Sequence, residues 1–118
     1  MSTSLLSLFA VPVHVKRLDG AEMPKELLGA YLVCYVSAAD HLRALKLAVE
    51  ALRGDHYQFL EMNGEISGLD PNHWDAYVQA TWPEAGDSLP RQSEIRDRLE
   101  GEEVFYGPFC SYDNEEHA

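Results

Sequence analysis

The order of elements legible in this chain is that of a small α+β domain. It has a ferredoxin-like βαββαβ core, an extra N-terminal strand, and a short charged helix before the last strand. Three observations lead there. A near-continuous run of β-formers at 31–36 (YLVCYV) is followed at once by a helix-spaced segment. An Asn63-Gly64 dipeptide separates two β-capable runs, and Asp70-Pro71 opens a second helix that precedes a strand at 104–106.

Residues 5–15 hold an alternating half, Val11, Val13 and Val15, which reads as a strand, and Pro12 places it at an edge or at a bulged start. Residues 17–29 are a connection punctuated by Gly20, Pro24 and Gly29, with room for one helical turn at 24–28. The run at 31–36 has the composition of a central strand buried on both faces. Ser37 then stands where a helix N-cap belongs, with Asp40 in the first turn. Leu42, Leu45, Val49 and Leu52 follow at helical spacing, Arg43, Lys46, Glu50 and Arg53 take the other side, and Gly54 closes the helix.

Residues 57–62 and 65–69 flank Asn63-Gly64 and read as a hairpin, since both turn residues tolerate positive φ. Trp74, Tyr77, Val78 and Thr81 mark one face of a helix that stops before Pro83. Residues 83–90 are a loop, and 91–100 form a charged helix with Ile95 and Leu99 as its apolar residues. The strand at 104–106 turns at Gly107-Pro108 and is extended by 109–112. In the ferredoxin-like order the first and last core strands are neighbours, which brings Cys34 near Cys110. Both main helices then cover one sheet face and leave the other open to a ligand or a second copy.

At 118 residues the chain is long enough for one domain with a real core, read here as residues 1–112 with an acidic solvated tail at 113–118. The apolar stretch at 5–15 is too short to span a bilayer, and it lacks the preceding positive charge and cleavage site of a secretory signal. Two cysteines 76 positions apart form neither a CxxC nor a disulfide framework, which points to a reducing, cytoplasmic location.

Charge is divided unevenly along the chain. Residues 1–60 hold six acids and six bases, whereas 61–118 hold fourteen acids and three bases, so the net charge of −11 lies entirely in the second half. Such a balance repels nucleic acid and anionic lipid and selects basic surfaces or cations as partners.

Catalytic and metal-binding signatures are lacking. The histidines at 14, 41, 56, 73 and 117 fall on different elements with no paired ligand spacing. There is no GxSxG, phosphate loop or dinucleotide fingerprint, and no cofactor is implied. Cys34 reads as a small buried hydrophobe and Cys110 as structural. Glu61, between Leu60 and Met62, is the candidate for a carboxylate in an apolar setting, on a face shared with Tyr57 and Phe59.

The densest mixture of acids and aromatics is 100–112 (EGEEVFYGPFCSY). Aromatic anchors amid carboxylates suit a protein-binding surface, where rings supply contact energy and charge steers the encounter. The candidate partner-binding residues are Glu100, Glu102, Glu103, Phe105, Tyr106, Phe109, Tyr112 and Asp113, with Trp74 and Asp75 from the second helix.

In size, in its acid excess between Glu61 and Glu116, and in the aromatics among those acids, the chain resembles bacterial toxin-immunity proteins. That resemblance implies a small, acidic, cytosolic, non-enzymatic αβ domain that caps a basic protein such as a toxin domain. Two other classes fit the same sequence. One is a small-molecule binder or cofactor-independent enzyme on a dimeric ferredoxin-like scaffold. The other is a structural subunit whose acidity serves solubility. On the binding reading, lysines at positions 102 and 103 slow association with the partner.

Overall fold

The computed structural model describes residues 6–21, 26–84 and 89–112. The 113–118 tail, the middle of the 83–90 loop and the start of the 24–28 turn lie outside the described residues. The described elements are β1 (Ser7–Arg17), β2 (Gly29–Ala38), α1 (His41–Gly54), β3 (Tyr57–Met62), β4 (Ser67–Leu69), a 3-10 turn (Pro71–His73), α2 (Trp74–Thr81), α3 (Gln92–Arg98), β5 (Glu103–Tyr106) and β6 (Cys110–Tyr112).

All strand pairs are antiparallel and lie in one sheet. Its spine is β1 against β2, paired without interruption from Ser7↔Ala38 to Lys16↔Gly29. On the far side of β1 lie β3 and then β4, and on the far side of β2 lie β5 and then β6. Each edge is therefore one broken row: the chain runs along its neighbour, leaves it, and rejoins it. The gap at 63–66 stands opposite Pro12, and Asn63 N–H donates to the Pro12 carbonyl at 2.9 Å. The gap at 107–109 stands opposite Val33, whose carbonyl accepts from Gly107 N–H at 2.8 Å.

This sheet differs from the ferredoxin-like order. The last strand does lie beside the strand at 31–36, as expected, but the N-terminal strand takes the central place instead of adding an edge. Pro12 did not prevent this, because a residue's N–H and C=O point to the same side of a strand. Its carbonyl meets Asn63 in the gap between β3 and β4, so its missing N–H also faces that gap and breaks no ladder bond with β2. The Asn63-Gly64 hairpin is also corrected. Residues 57–62 and 67–69 do not fold back on each other but both pair with β1, end to end. Gly64 does adopt positive φ, at 129°, where a Cβ would come within 3.3 Å of the Pro12 ring.

Two cores form, one on each sheet face. Odd-numbered residues of β1 and even-numbered residues of β2, from Phe9 to Val15 and from Ala30 to Ala38, pack under α1. The buried stripe of α1 is Ala44, Ala48 and Leu52, and Leu42, expected in it, is 77% exposed. Small alanines let the helix lie close on the sheet, so Ala44 and Ala48 centre the buried face with Leu52 at its end. Asp40, not Ser37, caps α1 by accepting from Arg43 N–H at 2.8 Å. Ser37 still belongs to β2, where its hydroxyl donates to the Gly101 carbonyl and accepts from Glu103 N–H.

Leu8, Ala10 and Tyr35 on the opposite face meet Trp74 and Val78 of α2, Leu89, and Ile95 and Leu99 of the charged helix segment. The two main helices thus lie on opposite faces, and among the described residues α2 and α3 cover one half of the second face. Within that half Tyr35 is fully buried, bonded through its hydroxyl to Tyr77 (2.8 Å) and to the Trp82 indole N–H (2.7 Å). Trp74 donates its indole N–H to the Pro90 carbonyl at 2.7 Å, so each large ring in this core has its polar atom satisfied.

The cysteines do not meet. Cys34 faces α1 and pairs with Tyr106, whereas Cys110 is exposed and pairs with Tyr31 on the other face. Burial pushes the Cys34 thiol up to about 12, which leaves it protonated and unreactive at neutral pH.

Gly29 ties the start of β2 to both neighbours. A Cβ there would stand 2.4 Å from the Val15 carbonyl oxygen and 2.6 Å from the Tyr112 hydroxyl. Gly29→Ala must therefore shift backbone, and a loss of about 2 kcal/mol or more in urea unfolding is expected. Gly68→Ala, with nothing within 4 Å of its Cβ, is the control and stays within about 0.5 kcal/mol of the parent.

Candidate functional site

The segment 100–112 does not present one surface. Strand alternation along β5 and β6 divides it between the two sheet faces. Tyr106 and Phe109 pack on the α1 side, whereas Phe105 stacks on Tyr35 in the second core at 5.3 Å. Tyr112 lies on that second face too, but over its uncovered half. Trp74 is fully buried and is core rather than contact surface. Asp75 exchanges two hydrogen bonds with Gln92, each 3.0 Å, which clamp the start of α2 to the start of α3. Asp113 lies outside the described residues.

Two of the acids are committed inside the molecule. Glu102 forms a two-pronged pair with the Arg43 guanidinium, both contacts 2.8 Å, which joins the start of β5 to α1 and holds the carboxyl below its ordinary range. Glu103 accepts from Arg98 at 2.8 Å, and that guanidinium lies 4.9 Å over the Phe105 ring. Glu100 is exposed and, like Glu84 and Asp97, has no side-chain bond among the described residues.

The uneven charge of the sequence becomes a difference between layers. Residues 40–55, α1 and its caps, carry three acids and three bases. The described residues 70–84 and 89–100, the layer over the opposite face, carry six acids and three bases. The sheet separates a neutral layer from an acidic one, a placement that sequence order foreshadowed because each layer is contiguous in the chain.

The uncovered half of the second face holds a polar cluster that the sequence did not suggest. His14 is only 8% exposed, stacked on Tyr31 with ring centroids 4.3 Å apart. Its Nδ1 lies 3.1 Å from Glu61 Oε2 and its Nε2 2.7 Å from the Tyr112 hydroxyl. With its ring hydrogen on Nδ1, His14 donates to Glu61 Oε2 and accepts the Tyr112 O–H at Nε2. The result is a carboxylate–imidazole–phenol chain linking β3, β1 and β6. The one signal for it was Glu61, but on the wrong face. A bulge between His14 and Val15 leaves Leu60 without a partner, so Tyr57, Phe59 and Met62 point to α1 while Glu61 points away. His14 itself lay hidden among the valines of β1, and only long-range pairing brings Tyr112 to it.

A second concavity sits at the C-terminal end of α1. It is an open cleft of about 490 Å³ lined by Gly20, Gly54, Asp55, His56, Tyr57, Tyr106 and Phe109. The Tyr106 hydroxyl donates to Asp55 Oδ2 at 2.5 Å, and burial together with that carboxylate pushes the phenol's pKa upward. His56 has φ 69°, in the left-handed region, so it performs the helix-ending role expected of Gly54.

Comparison with family models, with curated proteins and with solved structures finds no match for this chain. No helix among the described residues is long and apolar enough to cross a membrane.

The His14 chain is centred on a buried imidazole and is expected to act on stability first. Tyr112→Phe leaves a buried imidazole nitrogen unsatisfied and should cost about 1–2 kcal/mol in denaturant unfolding. Glu61→Gln, at a side chain 67% exposed, should cost less than about 0.5 kcal/mol.

Proposed function

We propose that this protein is a non-catalytic binding module that caps a basic protein partner, as an immunity protein caps a toxin domain. The observation that carries the reading is the acidic layer at 70–84 and 89–100 lying across the sheet from a neutral one. A surface of one sign raises the encounter rate with an oppositely charged partner and discriminates against acidic ones. The contact surface this reading favours is the outer side of α2 and α3 with the turn into β5, where Glu84, Asp97 and Glu100 are exposed. The ion pairs of Glu102 and Glu103 make those two residues supports of that turn, and lysines there would break internal pairs as well as remove charge.

The test separates the two effects. Tagged protein is used to capture partners from its native cells at low salt, with elution by a salt gradient. A single basic protein at near-equal stoichiometry, released by salt, is expected. With that protein in hand, Glu84→Lys/Asp97→Lys/Glu100→Lys should slow association by about tenfold or more at low ionic strength while thermal unfolding stays unchanged. An association rate indifferent to those three charges would contradict the reading.

A further inference from the structure

The cleft at the end of α1 has a chemistry of its own, distinct from the acidic layer. Its walls include three rings set at different inclinations. Phe109 stands edge-on to Tyr106, with centroids 5.9 Å apart and planes at 86°, and is tilted to Tyr57 at 5.6 Å and 46°. One carboxylate, Asp55, joins them, its position fixed by the bond from Tyr106. The cleft also lies at the C-terminal end of a 14-residue helix, the end where the aligned peptide dipoles favour positive charge.

Backbone is spent on its rim. His56 holds a left-handed conformation that a non-glycine residue adopts at a cost, and Gly20 faces it at φ 98°. A Cβ on Gly20 would stand 3.2 Å from the His56 ring. His56, which ends α1, and Gly20 thus meet at the mouth of a cleft of ligand size.

Aromatic faces, a carboxylate and a helix C-terminus share one preference. Each stabilises a cation, and rings do so best for a weakly hydrated one that need not keep its water. We propose that this cleft binds an organic ammonium group, with the rings of Tyr106 and Phe109, backed by the buried Tyr57, contacting its alkyl substituents and Asp55 facing its charge. A methylated ammonium suits it better than a metal ion or a bare lysine, because rings cannot replace the oxygen ligands or the donated hydrogen bonds those demand. The proposal stands independently of the capping of a basic partner.

Such a group can come from a free small molecule or from a methylated lysine on a protein. The experiment uses choline for the first source and a short neutral peptide carrying one trimethyllysine for the second. The comparator is 3,3-dimethylbutan-1-ol, which has the shape of choline without the charge. Titrations are followed by backbone and ring resonances at about 0.15 M salt, where diffuse attraction to an acidic protein is largely screened.

At least one of the two cations should give saturable shifts centred on residues 54–57, 106 and 109. The stronger of them identifies the source, and the alcohol should bind at least about tenfold more weakly. Phe109→Leu keeps the apolar volume and removes a ring face, so it should weaken the cation about fivefold or more and leave the alcohol unchanged. Asp55→Asn should likewise weaken only the cations. Equal binding of choline and the alcohol, saturable shifts located elsewhere, or no saturation with either cation would overturn the proposal.

Discussion

The unbroken pairing of β1 with β2 is the constraint on which the rest of the molecule depends. The two strands run against each other over their whole length, and between them they supply the floor of both hydrophobic cores. Because side chains alternate, the same ribbon offers valines and alanines to α1 on one face and Leu8, Ala10 and Tyr35 to α2 and α3 on the other. Register is correspondingly rigid: a slip by one residue would exchange the two cores and place His14 beneath α1. The edges answer to this ribbon. Both are rows in two pieces, each interrupted beside the middle of the strand it follows, so neither presents a long continuous edge to another chain.

Local signals were read correctly where local physics decides them. The run at 31–36 is a central strand because an unbroken series of β-formers needs two buried faces, and it has them. The Asp70-Pro71 start, the stop before Pro83 and the turn at Gly107-Pro108 were equally legible, since each is set by residues adjacent in sequence. Ile95 and Leu99, the only apolar residues of the charged helix segment, are both buried, as their isolation among charges implied.

What failed depended on distant pairing. Pro12 marks an edge strand only if its nitrogen faces a partner, and which side that is follows from where β3 and β4 dock. Asn63-Gly64 has the chemistry of a tight hairpin, yet β1 is long enough to accept both flanking strands in line, and that pairing prevailed. The bulge opposite His14 and Val15 reversed the face of Glu61, a one-residue event with no clear mark in the sequence. The expected binding segment at 100–112 was divided by the same alternation that builds the sheet, and two of its acids were taken up by Arg43 and Arg98.

Functionally, the ribbon makes the molecule two-sided. It separates a neutral layer from an acidic one, and it holds a polar His14 network on the half of the second face that α2 and α3 leave uncovered. The cleft at the end of α1 is on the neutral side, so the proposed cation site and the proposed partner surface share no residue. The central claim beneath all of this is that β1 is an inner strand and β3–β4 an in-line edge. Residue-resolved native-state hydrogen exchange tests it most directly, because protection follows the ladder. The slowest amides should be those of residues 11, 13–15, 32 and 34–36, with β4 and β6 exchanging far faster. Protection in β3 and β4 as a mutually bonded hairpin, with β1 exchanging like an edge strand, would contradict the account.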